Sequence, residues 1–359
     1  MYGLRVGVNQ AGMARVYTID PMEDFRWPRL LVEHELATVF HSREWLSALQ
    51  RTYGYRASVV TTCAPEESLT NGLVYCRVQS RITGNRMISV PFADHCAPLV
   101  DTAKTLNALV PELGRKVDEK REAYLELRSG GGCDEPGAGV ARAAAFCLHR
   151  LDLRPSIGDL FHNLHHNCVR RKIARAERER LTYEEGTSQE LLHKFYWLTV
   201  LTRRRQQIPP QPLSWFANLL SCFGERTKLR VASKDGHLAA AILTIRYKNC
   251  MTYKYACSDP QFHQAGPMQL LIWKAIREAK EGGLSEFDMG RTEWSNDGLL
   301  TFKDRWGCRR STLEYFRYPA PAARSRAENI PSAIARRLFS LAPKGVLTAA
   351  GTILYRHIA

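Results

Sequence analysis

Apolar and polar residues alternate with a period of two over residues 57–63, 73–79 and 87–92, a pattern that predicts three β-strands. The turn-forming groups Asn71-Gly72 and Thr83-Gly84-Asn85 separate them. The period then lengthens to that of a helix over about 102–120, and a short strand follows at 124–127. Further along the chain the same order returns. Strands are predicted over 228–232, 237–247 and 250–257, with the hairpin signals Asp235-Gly236 and Lys248-Asn249 between them. A helix over about 266–281 and a strand over 286–289 complete the second set. Three antiparallel strands, a crossover helix and a strand returning parallel form an uncommon order. Its recurrence predicts a duplicated α+β unit.

The remaining segments frame this duplication. Residues 1–35 contain Pro21 and Pro28 with little periodicity and read as a lead-in that packs on the first domain. Trp45, Leu46, Leu49 and Tyr53 make a helical stripe with Ser42 placed to cap it. The first domain is expected over 36–150, with Gly130-Gly131-Gly132 and Pro136-Gly137 breaking regular structure near its end. The second, over 151–318, opens with helices. Across 160–181, Val169, Ile173 and Ala176 share one helical face and Arg171, Arg175 and Arg178 the opposite one. Further helices are predicted over 188–205 and 212–223, parted by Ile208-Pro209-Pro210. A helical turn over 299–306 and a strand over 311–318 close the domain. A Pro/Ala/Arg-rich linker and a helical tail occupy 319–359. In that tail Arg336, Arg337, Leu338, Phe339 and Leu341, and then Val346, Leu347, Ile353 and Leu354, fit docking on the tail's own domain or peripheral contact with an anionic membrane.

Length agrees with two domains, since 359 residues suffice for two cores. Charge narrows the partners: 51 Lys and Arg against 36 Asp and Glu give +15, which attracts nucleic acid, nucleotide phosphate, phospholipid or acidic sugar. Ten cysteines occur without a CxxC pair or a His/Cys cluster at zinc spacing, so no redox motif or metal site is indicated. They read as small buried residues in a reducing compartment. The N-terminal residues lack a signal-peptide core and no run approaches about 20 apolar residues, so a soluble, cytoplasmic protein is expected, with possible placement at the inner membrane face. No Walker loop, zinc triad or Ser-His-Asp set is evident.

Five stretches, taken in order, carry a family resemblance. They are Phe40-His41-Ser42 leading to Trp45, VPFADHCAPLVD over 90–101, the basic helix over 170–180, Phe287-Asp288-Met289-Gly290-Arg291, and Phe302-Lys303 before Trp306-Gly307. With the repeated element order, the chain resembles the Fem-type aminoacyltransferases that build peptidoglycan cross-bridges, and the related FemAB-like acetyltransferase group. The resemblance spans most of the chain. It implies an α+β fold of two tandem GNAT-like domains around mixed sheets, followed by a helical tail. It also implies an N-acyltransferase with no bound cofactor, acyl-CoA or aminoacyl-tRNA as co-substrate, and an amine of a glycan or cell-wall precursor as acceptor. DNA is not an expected partner. In such a fold the donor lies where the strands at 250–257 and 286–290 splay apart. The usual pyrophosphate loop, which offers backbone N–H groups at a helix N-terminus, is degenerate here: Gln264-Ala265-Gly266-Pro267 supplies one glycine and then a residue without an N–H.

The resemblance and the residues together yield candidates, each with a plainer reading beside it. Lys303 matches the Phe-Lys element near the acyl-transfer point, where an ammonium would stabilise a tetrahedral oxyanion; the plain reading is a solvated helix lysine. Asp288 is placed to accept a proton from the attacking amine, or else to pair with Arg291 or Lys303 and hold a strand end. Tyr253 and Tyr255, two apart, are expected on one strand face near the donor, together with Gln264, Gly266, Arg291 and Phe302. Both tyrosines also suit ordinary packing. Asp94 and His95 stand where the first domain replaces the phosphate loop, which suggests an acceptor wall. Arg170, Arg171 and Arg175 form an anion-binding face or a solvated one laced with Glu177 and Glu179. A non-catalytic RNA- or anion-binding protein retaining the fold is the alternative.

Overall fold

The computed structural model describes residues 15–129, 139–321 and 344–357. Contacts divide the chain into two compact units: Met1–Ala145 with Leu313–Ala327, and Phe146–Thr312 with the C-terminal helix. The predicted glycine-rich break at 130–132 and 136–137 and tail positions Arg336 to Leu341 lie outside the described residues.

In the first unit, strands β1 (Tyr17–Ile19), β2 (Ala57–Thr61), β3 (Leu73–Val78) and β4 (Arg86–Ile88) are antiparallel in sequence. Helix α1 (Arg26–Glu33) and helix α2 (Arg43–Tyr53) precede β2. The Ser42 side chain caps α2 by accepting from the Trp45 N–H, and Gly54, at φ 77°, ends it. Helix α3 (Ala103–Glu119) crosses over, and β5 (Leu125–Arg128) returns parallel to β4. On β5's other side runs the end of β12 (Arg309–Tyr318), antiparallel. Leu106, Leu109, Val110 and Leu113 of α3 meet Tyr75, Met87, Leu125 and Phe316 of the sheet in one core.

The second unit repeats the plan at larger scale. It begins within β6 (Ala141–Asp152), continues through helix α4 (Ile157–Asn163), a π-turn (His166–Arg170) and α5 (Arg171–Arg178), and enters β7 (Thr182–Gly186). Helices α6 (Gln189–Arg205) and α7 (Leu213–Phe223) follow. Then come β8 (Thr227–Lys234), β9 (His237–Tyr247), β10 (Cys250–Ser258), α8 (Pro267–Glu281), β11 (Glu286–Glu293) and α9 (Asp297–Asp304). The sheet order is β6-β11-β10-β9-β8-β7. Asp235 and Lys248, each at φ 50°, form the tight turns their Asp-Gly and Lys-Asn sequences predict. Helix α8 covers one face, with Leu271, Ile272, Ala275 and Ile276 against Ala240, Ile242, Met251 and Phe287. Helix α6 packs on the opposite face. The C-terminal helix α10 (Lys344–Leu354) docks on α6, burying Leu347 fully.

The single helix expected over 160–181 is instead broken into three pieces. His165 Nδ1 accepts from the Cys168 N–H at 3.2 Å and so starts a new turn after α4. The strand expected over 87–92 stops at Ile88, because the chain bends away and Phe92 takes φ 59°. Strands β1, β6 and β7 were not legible, and the strand expected over 311–318 begins two residues earlier, at Arg309.

Candidate active site

Strand β10 pairs with β11 over three positions only: Cys250 with Glu286, Met251 with Phe287 and Thr252 with Asp288. From Tyr253 onward the partners of β10 all lie on β9. The two parallel neighbours therefore diverge, because each is bulged at the same level. β10 carries an extra residue between Tyr253 and Tyr255, and β11 shifts against β6 between Asp288 and Arg291. Gly290, at φ 72°, lets β11 make that bend, and its N–H donates to Asp288 Oδ1 at 2.7 Å.

Lys303 fixes the same bend from behind. Its side chain is buried, and Nζ donates to the carbonyl oxygens of Gly290 at 2.8 Å and Arg291 at 3.1 Å. The ammonium thus satisfies two backbone carbonyls at the irregular step of β11, groups that are costly to bury unpaired. Asp288 is buried too, at 2% exposure. The Arg291 guanidinium lies 4.3 Å from the Phe146 ring centroid.

The bulge corrects one expectation. Tyr253 and Tyr255 do not share a face, since the inserted Lys254 resets the alternation. Tyr253 turns toward α8, where its hydroxyl meets Met268 Sδ at 3.6 Å and its ring tilts on Phe287. Burial pushes that hydroxyl's pKa well up, so it stays protonated. Tyr255 turns to the other side, accepts from Trp215 Nε1 at 2.8 Å and packs edge-on to Phe216.

Beyond the ends of the diverging strands lies a cavity of about 380 Å³. Ser258 from the end of β10, His263 from the 3₁₀ turn Pro260–Ala265, and Met268 and Gln269 from the start of α8 line it, with Lys172, Phe302 and Arg305. Phe302 stands beside Trp306 in a T-shaped pair. Gln264 is exposed in the 3₁₀ turn. Gly266 has φ 78°, and a Cβ there would come within 2.4 Å of the Lys172 carbonyl oxygen, so α5 presses directly on the start of α8. The glycine serves this close approach of two backbones.

Of the basic residues, Arg171 is exposed and reaches Asn167 Oδ1 at 3.5 Å. Arg175 pairs with Glu179, which Lys234 also holds. Arg170 is half-buried, with Nε shielded from solvent. Lys172, between them, is the basic side chain of α5 that reaches the cavity. Ser258, His263, Lys172, Met268, Gln269 and Arg305 had no individual signal in the sequence. Only the turn and the crossing of α5 bring them together.

Asp94 and His95 belong to the first unit. There, residues 89–101 fill the opening between β4 and β5. Arg128 donates from Nη1 to the carbonyls of Val90 and Ala93, both at 3.0 Å, and its carbonyl accepts from the Cys96 N–H at 2.7 Å. Asp94 accepts at its carbonyl from Tyr315 Oη at 2.6 Å, and His95 is buried edge-on to Phe40.

Described cysteines are free thiols, and burial pushes Cys76, Cys257 and Cys308 up to about 12, which leaves them poor nucleophiles. No group of three or more His, Cys, Asp or Glu able to hold a metal occurs among the described residues. No helix among them is long and apolar enough to cross a membrane.

Residues 165–304 match the model of the acetyltransferase (GNAT) domain, so the second unit carries an acyltransferase domain. No curated protein sequence matches the chain. Among solved structures, FemX is similar with a TM-score of 0.63 and 13% identity, over 84% of this chain and 96% of that one. A tandem GNAT protein from the clavulanic acid biosynthesis pathway gives a TM-score of 0.54 at 11% identity, over 86% of this chain and 100% of the other. A DUF2156 domain assigned to a lysylphosphatidylglycerol synthetase from Agrobacterium fabrum gives 0.52 at 15% identity, over 91% and 96%. The fold is a tandem GNAT fold.

Proposed function

We propose that the protein is an N-acyltransferase that moves an acyl or aminoacyl group from an activated donor to an amine of a glycan, peptidoglycan or other cell-envelope precursor. The observation that carries this reading is the end of parallel pairing at Thr252 and Asp288. Past that point an extended donor arm can lie along the β11-facing edge of β10, as an added strand would, with its phosphates at the cavity and its activated carbonyl toward Asp288. Lys172 and Arg305 give the cavity a cationic rim that suits the phosphates of either acyl-CoA or aminoacyl-tRNA, and the net charge of +15 favours their approach.

In this reading Lys303 and Asp288 hold the bend of β11 that keeps the gap open, and Arg291 and Phe302 border the donor path. Tyr253 supports the donor from β10, while Gln264 and Gly266 shape the turn before α8. Tyr255 acts from the opposite face, by anchoring β10 to Trp215. Asp94 and His95 fall to the acceptor side, because the first unit's own gap is filled. Arg170 and Arg171 meet the anionic partner, while Arg175 is committed to Glu179. The envelope acceptor draws support from FemX and the lysylphosphatidylglycerol synthetase domain, whose folds this chain resembles.

Thermal unfolding with acetyl-CoA, coenzyme A, charged tRNA and uncharged tRNA tests the reading. A donor at about 100 times its Kd stabilises the native state by about 2.7 kcal/mol, a readily measured rise in Tm. A rise with acyl-CoA, or with charged but not uncharged tRNA, supports transfer from that donor. An equal rise with heparin and every other polyanion would show an anion-binding protein without a donor site.

A further inference from the structure

His149 of β6 is fully buried and stands at the irregular step of β11. Arg150 pairs with Asp288 and Leu148 with Arg291, so Met289 and Gly290 both lie opposite this one histidine. Its Nε2 faces Asp304 Oδ1 at 3.3 Å, and its Nδ1 lies 3.7 Å from Cys147 Sγ. Burial raises the pKa of that thiol and keeps its proton in place. The ring meets both neighbours as the neutral tautomer with hydrogen on Nε2, its N–H toward a carboxylate and its bare nitrogen toward a thiol.

Asp304 is the last residue of α9 and follows Lys303. Adjacent helical residues point about 100° apart, so Lys303 reaches the carbonyls of Gly290 and Arg291 while Asp304 reaches His149 of β6 and Arg310 of β12. Arg310 Nε donates to Asp304 Oδ1 at 2.7 Å, and its Nη2 donates to Oδ2. Arg310 chiefly, with His149, holds the Asp304 carboxyl below its ordinary range. The end of α9 that carries Lys303 is thereby tied to two strands besides β11.

We propose that His149 and Asp304 are positioning residues, which seat the end of α9 so that Lys303 holds the bend of β11 and the gap beside β10 stays open. The inference deepens the acyltransferase reading and rests on it only for what the gap admits. The seat works with an uncharged ring. Among the described residues, the groups that face His149 are Lys303 and Asp304 from α9, Arg310 from β12 and Cys147 from β6. Burial and then the Lys303 ammonium hold the His149 pKa below its ordinary 6.5, Arg310 adds to this, and Asp304 opposes it. Uptake of a proton puts a second cation beside Lys303, which then loses its hold on the two carbonyls. The unfolded chain takes up that proton first, so stability falls as the pH drops from 6.5 toward the lowered native value.

Burial holds His41 and His263 low as well, so the readout has to be local. Hydrogen–deuterium exchange of the intact protein, corrected for the intrinsic rate and read on peptides covering 286–293, supplies it without any donor. Over a series from about pH 7.5 down to about pH 5, protection of this segment should fall about tenfold or more, the scale set by two buried carbonyls losing their donor. H149Q, which keeps a neutral side chain able to donate, should stay protected throughout. Asp304 is partly exposed and tolerates exchange, so D304N should lose protection already at about pH 7.5 and D304E should regain it. A parent segment equally protected across the series, an acid loss in H149Q as large as the parent's, or a D304N segment as protected as the parent's overturns the proposal. Because no donor enters the measurement, a bend that ignores His149 leaves the transferase reading standing. A protein that transfers nothing leaves the seat of Lys303 standing.

Discussion

Glu126 and Asp288 occupy the same register position in the two units: each is the last residue of its returning strand to face a parallel partner, Ile88 in one case and Thr252 in the other. Each also faces an arginine across its antiparallel neighbour, Arg317 and Arg150 respectively. Two residues on, the copies part. Arg128 follows Glu126 and ties the 89–101 segment into the gap, whereas Gly290 follows Asp288 and bends the strand away. One position thus decides whether the space beside the strand is filled or open.

The Glu126 carboxylate is buried between Arg128 and Arg317, so its loss would leave two cations without a counter-charge. Glu126→Ala should cost about 3–5 kcal/mol of stability, read from urea unfolding of the whole chain. Burial disfavours its charge, but the two arginines outweigh burial and hold its carboxyl below the ordinary value of 4.5. That contribution is present above about pH 4.5 and is lost as pH falls through the lowered folded-state value. The acid limb of the stability curve should flatten in Glu126→Gln.

Lys303→Met removes the ammonium from the carbonyls of Gly290 and Arg291. Leaving buried acceptors unmet costs about 1–3 kcal/mol each. We expect a lower Tm together with a loss of transfer, because the bend of β11 relaxes toward β10. A Tm equal to that of the parent protein would remove the positioning role assigned to Lys303.

Gly266→Ala forces a Cβ into the Lys172 carbonyl at 2.4 Å, at a φ of 78° that side chains rarely adopt. Strain of this kind costs about 1–3 kcal/mol. The displaced α5 should carry Lys172 out of the cavity, so the variant should bind an anionic donor more weakly even at a temperature where it stays folded. Isothermal titration with the donor identified by thermal shift would show it.

Gly351 of α10 lies so near Pro210 that a Cβ would meet its carbonyl oxygen at 2.0 Å. Gly351→Val should lift α10 from α6. Limited proteolysis should then cut within 344–357 at a rate far above that of the parent chain.

Much of the fold was legible because local chemistry and tertiary packing agree. The Asp-Gly turn, the Ser42 cap and the unbroken apolar run of β9 each point to one answer, and β9 runs over the residues expected for it. The polar edge strand β7, Thr182–Gly186, lacks an apolar face, so alternation had nothing to report. The divergence of β10 and β11 was implied by the family resemblance, and the bulge at Lys254 was not foreseen, since one inserted residue leaves no mark on composition. Lys303 stood out through the Phe-Lys resemblance. Ser258 and His263 did not, because their proximity depends on a short turn that packs against α5 and α6.

Arg128 and the segment it ties down have a consequence for stoichiometry. Among the described residues the gap beside the returning strand is filled in the first unit and open in the second, so on the proposed reading a calorimetric isotherm with the donor should saturate at one molecule per polypeptide. Exchanging that arginine for the glycine of its twin would ask directly whether the first unit can be made to take up a second molecule.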